Sequence, residues 1–203
     1  MKRRTFTQSQ IRYLRDRAEE QYENMRGSRS FRNVEFLIYI AIVVLTALTI
    51  RSFIAEPIRV DGDSMVPTLV HNEDMLVEKM SYWFNDPQRG DIVICFYPGY
   101  TESCVKRVIG LPGETVEVKG GVIYVDGAPL DESAYWTGEI IGDTDPVTVG
   151  AREVFVVGDN RNGSKDSRNP SVGCIPYAKL VGHVVAVVYP FDEFETFSRV
   201  TYH

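Results

Sequence analysis

TVEVKGGVIYVDG, residues 115–127, decides how the larger part of this chain is read. TVEVK and VIYV are short runs rich in valine, isoleucine and tyrosine. Gly120-Gly121 between them is a hairpin signal, and Asp126-Gly127 marks the next turn. Runs of the same texture lie on both sides: IVICFY (92–97), CVKRVIG (104–110), EVFVVGD (153–159) and LVGHVVAVVYP (180–190). Pro98-Gly99 turns the chain between the strands expected at 92–97 and 102–109. The runs follow one another with hardly room for a helix, which predicts a mainly β domain built on an antiparallel sheet, from Glu56 to the C-terminus. Residues 131–150 (DESAYWTGEIIGDTDPVTVG) have weak periodicity and read as an irregular excursion. No internal repeat of 20–50 residues is visible, which excludes solenoids and propellers.

The texture changes on the N-terminal side. FLIYIAIVVLTALTI, residues 36–50, is the most apolar stretch, and its fifteen residues at about 1.5 Å each give roughly 22 Å, short of a hydrocarbon core of about 30 Å. Adding Val34 and Ser52–Ala55 brings the segment to spanning length, with Arg51 snorkelling at one interface and Glu35 at the other. Apolar residues on every face suit lipid better than a one-sided core. The leader is too long for the basic region of a cleaved signal peptide, and no good small-x-small cleavage site follows it. The expectation is a single transmembrane anchor over 34–55.

Residues 1–35 carry nine basic side chains (Lys2, Arg3, Arg4, Arg12, Arg15, Arg17, Arg26, Arg29 and Arg32) against five acidic ones, leaving 13 and 23 for residues 36–203. The positive-inside rule then puts 1–33 in the cytoplasm and 56–203 on the other side of the cell membrane. Ile11, Leu14, Ala18, Tyr22 and Met25 recur at helical spacing. They predict an amphipathic helix, either resting on membrane lipid or simply solvated.

The whole chain of 203 residues has 22 basic and 28 acidic side chains, a net charge of −6. That excludes nucleic acid as a general partner, because phosphate binding needs a basic surface. Three cysteines cannot make a disulfide scaffold, and neither C-x-x-C nor H-E-x-x-H occurs, so no metal is expected.

Three stretches carry chemistry. VDGDSMVPTL (60–69) sets Ser64 between Gly62 and Pro67, turn residues that can expose a hydroxyl. In the strand CVKRVIG, Lys106 shares a face with Cys104 and Val108, a dry setting for an ammonium. Desolvation lowers a lysine pKa, and the neutral amine can then act as a general base. GDNRNGSKDSR (158–168) is a loop dense in polar groups straight after an apolar strand, able to hold such a lysine by hydrogen bonds and ion pairs.

SMVPTL, KRVIGLPGE and GDNRNGSKDSR, in this order behind one N-terminal anchor, closely resemble the signature boxes of bacterial type I signal peptidases, from about Glu56 to Pro190. The resemblance implies a membrane-bound serine endopeptidase that needs no cofactor. Its substrates would be secretory preproteins, cut after small residues (Ala-x-Ala) and bound as an added β-strand. Ser64 would be the nucleophile and Lys106 the base of a Ser/Lys dyad working through an acyl-enzyme. Ser164 matches the serine that orients the lysine amine. Asp159, Arg107, Asp166 and Arg168 match the polar residues that brace the site, and Met65 matches a residue of the substrate cleft. Some members place a serine two positions before the nucleophile. Gly62 stands there instead, so the oxyanion would rely on backbone N–H groups, that of Ser64 included. No role follows for Asn169–Gly173.

Other groups read as bystanders. His71 lies in a polar loop, His183 among the valines of a late strand, and His203 ends the chain. Asp131/Glu132 and Asp192/Glu193 read as solvated charges. With the hairpin turn at Gly99-Tyr100, Cys95 and Cys104 face each other, either as a cross-strand disulfide with Cys174 free or as buried thiols. Two other classes compete. A non-catalytic anchored β module that binds exported proteins would tolerate loss of Ser64 and Lys106. A self-cleaving repressor with a Ser/Lys dyad would need a helix-turn-helix in place of the anchor.

Overall fold

The computed structural model describes residues 7–26, 29–197, 200 and 202. Lys2, Arg3, Arg4 and His203 lie outside the described residues, as do the side chains of Met25, Arg26 and Arg29. The chain divides into two compact units, Met1–Thr49 and Ile50–His203.

The first unit is helical: α1 covers Gln8–Arg26 and α2 covers Arg29–Thr49. On α1 the stripe residues Ile11, Leu14 and Tyr22 are exposed. An Arg15–Glu19 pair at 3.0 Å spans one helical turn. α2 runs on into a π-helical turn, Ile50–Ile54. The run Ser30–Ile54 is long and apolar enough to cross a membrane, and none of it is buried by protein. It starts four residues before the expected anchor and stops one residue short of its end, because Ala55 already pairs with Glu78 in the sheet.

The second unit is mainly antiparallel β, as the turn-punctuated runs require. Its strands are β1 (Ala55–Arg59), β2 (Asp74–Glu78), β3 (Ile92–Phe96), β4 (Ser103–Gly110), β5 (Thr115–Lys119), β6 (Val122–Val125), β7 (Ala128–Pro129), β8 (Val147–Thr148), β9 (Glu153–Val157), β10 (Ile175–Pro176), β11 (Leu180–Tyr189) and β12 (Glu195–Thr196). A larger sheet runs in the order β1-β2-β11-β3-β4-β9-β10, with β12 on β11, and a smaller one runs β7-β6-β5-β8. The β5–β6 pair is the hairpin of the opening motif, with Gly120 and Gly121 at φ 56° and 80°. The excursion at 131–150 contributes only β8.

β4 positions the site. It pairs with β3 on one side and β9 on the other, so both edges are covered. Val105 joins a core with Val60, Met65, Leu69 and Val77. Ile109 joins a second core with Val116, Ile123 and Phe155, and Val108 a third with Val93, Cys95 and Val156. With core on both faces, the charged pair between these valines, Lys106 and Arg107, is carried into the interior at 3% and 4% exposure. Gly110 ends the strand where space runs out: a Cβ there would stand 2.5 Å from Val116 Cγ2 and 2.9 Å from Phe155 Cβ.

Candidate active site

Ser64 stands on the turn after β1. Met65 and Leu69 are buried in the first core and are joined by a Leu69 N–H to Met65 carbonyl bond of 3.0 Å. They pull one side of the turn inward and leave Ser64 half-exposed. Gly62 takes φ +91°, a conformation that side chains resist, and its N–H donates to His71 Nδ1 at 3.1 Å. The Ser64 carbonyl accepts the Asn160 N–H at 3.0 Å, and Asn160 Nδ2 donates to the Asp63 carbonyl at 3.0 Å. Two loops far apart in sequence thus clamp the serine. No described residue accepts the Ser64 N–H.

Lys106 Nζ lies 2.8 Å from Ser64 Oγ and 2.7 Å from the Val105 carbonyl. Burial is the main cause of a pKa below the ordinary lysine value. Cys104, Cys95, Asp166 and Asp159 oppose that shift without cancelling it. The amine is therefore neutral at lower pH than a surface lysine, within reach of the Ser64 hydroxyl.

Around this pair the 158–168 loop is held by buried ion pairs. Arg107 grips Asp159 through Nε–Oδ1 at 2.8 Å and Nη2–Oδ2 at 2.6 Å, and Thr68 Oγ1 donates to Asp159 Oδ2 at 2.6 Å. Burial opposes the Arg107 charge, but the Asp159 bonds and charge more than offset it, and the guanidinium pKa rises. Asp166 accepts the Gly158 N–H at 3.0 Å and both Nε and Nη2 of Arg168 at 2.8 Å. Gly158 is packed so closely that a Cβ would collide with Ser164 Oγ and the Ser64 carbonyl.

Three residues differ from their expected roles. Ser164 Oγ is buried against Gly158 with no hydrogen-bond partner among the described residues, so the bond to the lysine amine is not formed. Met65 is 1% exposed with its sulfur 3.5 Å from the Asp159 N–H, which makes it a core anchor beneath the serine rather than a cleft wall. Glu132 is not a solvated charge: it is 8% exposed and pairs with buried Arg161 at 2.6 Å. The Tyr135 ring lies 4.0 Å from the Arg107 guanidinium and 5.6 Å from that of Arg161. Sequence patterning misses Arg161 and Thr68 as supports, although both stand inside the quoted motifs. It also misses His71, whose ring holds the Gly62 amide. Asn169–Gly173 forms a turn, with the Val172 and Gly173 N–H groups on the Asn169 carbonyl, that delivers Val172 to the core.

No histidine hydrogen-bonds Ser64 or Lys106 among the described residues. Nor do those residues include a cluster of three or more His, Cys, Asp or Glu side chains placed for a metal ion. A groove of about 630 Å³ is lined by Ile58, Val60, Met75 and Ile94, by the charged Arg59, Asp61 and Glu102, and by Cys104 and Val105, which precede Lys106 on β4. It runs between β1, the last strand of its sheet, and the start of β4.

This geometry has relatives. Residues 33–189 match the family model for signal peptidase, peptidase S26. The chain belongs to that family. A probable signal peptidase I-1 of Synechocystis sp. is 39% identical over 175 residues, covering 82% of this chain and 86% of its own. Signal peptidase I S of Bacillus subtilis is 38% identical over 181 residues, covering 84% and 96%. A signal peptidase I of known structure from Enterococcus faecalis is 34% identical over 49% of this chain and 97% of its own, with a TM-score of 0.41. As a member of the signal peptidase family this chain is a peptidase that acts on secretory preproteins, and it carries the apolar N-terminal helix of a membrane-associated enzyme.

Proposed function

We propose that Ser64 and Lys106 are the catalytic dyad of this signal peptidase, cutting preproteins after Ala-x-Ala through an acyl-enzyme. The reading rests on one observation above the rest: a buried lysine amine 2.8 Å from the hydroxyl of a half-exposed serine. Neutral Lys106 takes the Ser64 proton as Oγ attacks the scissile carbonyl, and the Ser64 N–H faces the developing oxyanion. The ammonium then protonates the leaving amine. Deprotonated again, it activates the water that releases the acyl group. Asp159, Arg107, Asp166 and Arg168 brace the loops that hold the two reacting atoms together and take no proton. Ser164 lies beside Gly158 with its buried hydroxyl unpartnered among the described residues, and orienting the Lys106 amine is the role this reading gives it.

The groove that reaches Cys104 and Val105 offers Ile58, Val60 and Ile94 to short apolar side chains among the charged Arg59, Asp61 and Glu102, and β1 offers an edge along which an extended peptide can add as a strand. In the same reading 1–33 is cytoplasmic, 34–55 is a single-pass anchor among membrane lipids, and 56–203 is the peptidase domain beyond the membrane, next to the point where a signal peptide's own apolar segment ends. The test is cleavage of a detergent-presented preprotein bearing Ala-x-Ala by the wild type, Ser64→Ala and Lys106→Ala. Cutting after the second alanine by the wild type alone is expected. Equal cutting by all three would overturn the dyad.

A further inference from the structure

Cys95 on β3 and Cys104 on β4 are direct cross-strand partners, with their sulfurs 3.5 Å apart. Directly opposed antiparallel residues hold their Cα atoms about 4.5–5.5 Å apart, within the range of about 4.4–6.8 Å that a disulfide bridges. The two thiols are not alike. Cys95 is fully buried, whereas Cys104 is partly exposed and lines the groove. Cys104 is also two residues from Lys106 on the same face of β4, about 7 Å along the strand.

From this arrangement we infer that Cys95 and Cys104 are a reversible redox site. A low-molecular-weight disulfide oxidises the pair to an intramolecular disulfide, and the oxidised enzyme cleaves substrate at lower pH than the reduced one. The second half rests on Lys106 being the base. In the chemical step the Cys104 thiolate attacks one sulfur of the small disulfide, forming a mixed disulfide and expelling one thiolate. Cys95 then loses its proton and attacks Cys104 Sγ, expelling the second. Two cysteine thiols and one small disulfide become one protein disulfide and two small thiols. The protein sulfurs are oxidised and the reagent is reduced.

The division of labour follows from the surroundings. The Cys104 thiol is brought down to about 7, chiefly by its hydrogen bond with Cys95 and then by the Lys106 charge, against the opposing effect of burial. Cys95 is pushed well up by Cys104 and by burial, as suits a resolving thiol. Coupling to the lysine is reciprocal. The groups facing Lys106 are Ser64 on its turn, Asp159 and Asp166 on the polar loop, and the two cysteines on β3 and β4. Asp159 and Asp166 are each matched by an arginine. A Cys104 thiolate is the anion that oxidation can remove. With it gone, the ammonium loses support and the neutral amine persists to lower pH, by about 1.7 pH units at this separation and an effective dielectric constant of about 20.

The test uses the full chain in detergent, with oxidised glutathione as the probe. Denaturing alkylation should count three thiols before treatment and one after it, with peptides containing Cys95 and Cys104 linked and with dithiothreitol restoring all three. A Cys174→Ala chain should lose both of its thiols. The acid limb of kcat/KM should move down by about 1.7 pH units on oxidation. In Cys95→Ala/Cys104→Ala that limb should already be low and indifferent to glutathione. Undiminished thiols, or a glutathione adduct on Cys104 with Cys95 still free, would overturn the redox site. A disulfide that leaves the limb unmoved would overturn its coupling to Lys106. If neither form cleaves at any pH, the dyad reading fails by itself. The coupling is then read from the pH dependence of Lys106 reductive methylation, where no difference between the two forms refutes it.

Discussion

Asp159→Ala removes the carboxylate that neutralises the buried Arg107 guanidinium of the peptidase domain. Arg107 and Asp159 are 4% and 0% exposed, joined by two bonds, with Thr68 as a third partner on the carboxylate. After the change Arg107 keeps only the Gly90 carbonyl at 3.1 Å and the Tyr135 ring. A buried charge left without its partner costs about 3–5 kcal/mol, most of it the desolvation that the pair had offset. For a unit of this size each kcal/mol moves the thermal midpoint by about 2–4 °C, so a fall of roughly 6–20 °C is expected. Thermal unfolding of the full chain in detergent reads it, beside Arg59→Ala as a control. Arg59 pairs with Asp74 at the surface, and its loss should hardly move the midpoint. The pair replacement Arg107→Met/Asp159→Leu leaves no charge buried and should recover at least half of the loss. A single variant that falls by less than about 1 kcal/mol, or a double variant as unstable as the single, refutes the reasoning.

Cleavage should rise with pH. The neutral amine is the active form, burial lowers its pKa, and activity is therefore lost as pH falls through a value below that of an ordinary lysine. A pH profile of kcat/KM checks this, and Lys106→Arg, which cannot become neutral, should be inactive at every pH. Gly158→Ala forces a Cβ to within 2.5 Å of Ser164 Cβ and against the Ser64 carbonyl. It should cost about 1–3 kcal/mol in denaturant unfolding and lower kcat more than it raises KM, since the serine itself is displaced. His71→Ala frees the Gly62 N–H from its acceptor and should lower kcat/KM severalfold. Unchanged kinetics would mean that the Asn160 clamp alone holds the turn.

Most of the architecture is legible in one dimension because its signals are local. Gly120-Gly121 between two β-branched runs makes a hairpin whatever surrounds it, and fifteen uncharged, mostly apolar residues in a row make a helix that no sheet in this chain could use. The supports of the site are harder to see. Glu132 beside Asp131 looks like a solvated pair because adjacency says nothing about what a side chain meets. Arg161, brought from the polar loop, turns it into a buried partner. Met65 and Ser164 sit in the motifs with the right chemistry, yet where the side chain points depends on the packing of β4 and β9 beneath them.

The sequence by itself determined the antiparallel β domain, the apolar N-terminal segment and the short stretches able to carry chemistry, since alternation, turn residues and a long uncharged run act over a few residues. Tertiary structure alone decided that Lys106 is dry and that its amine reaches a hydroxyl 42 positions away. Burial on both faces of β4, and the clamp between the 62–69 turn and the 158–168 loop, join segments distant in sequence. Desolvation and hydrogen-bond geometry exist only once those segments meet.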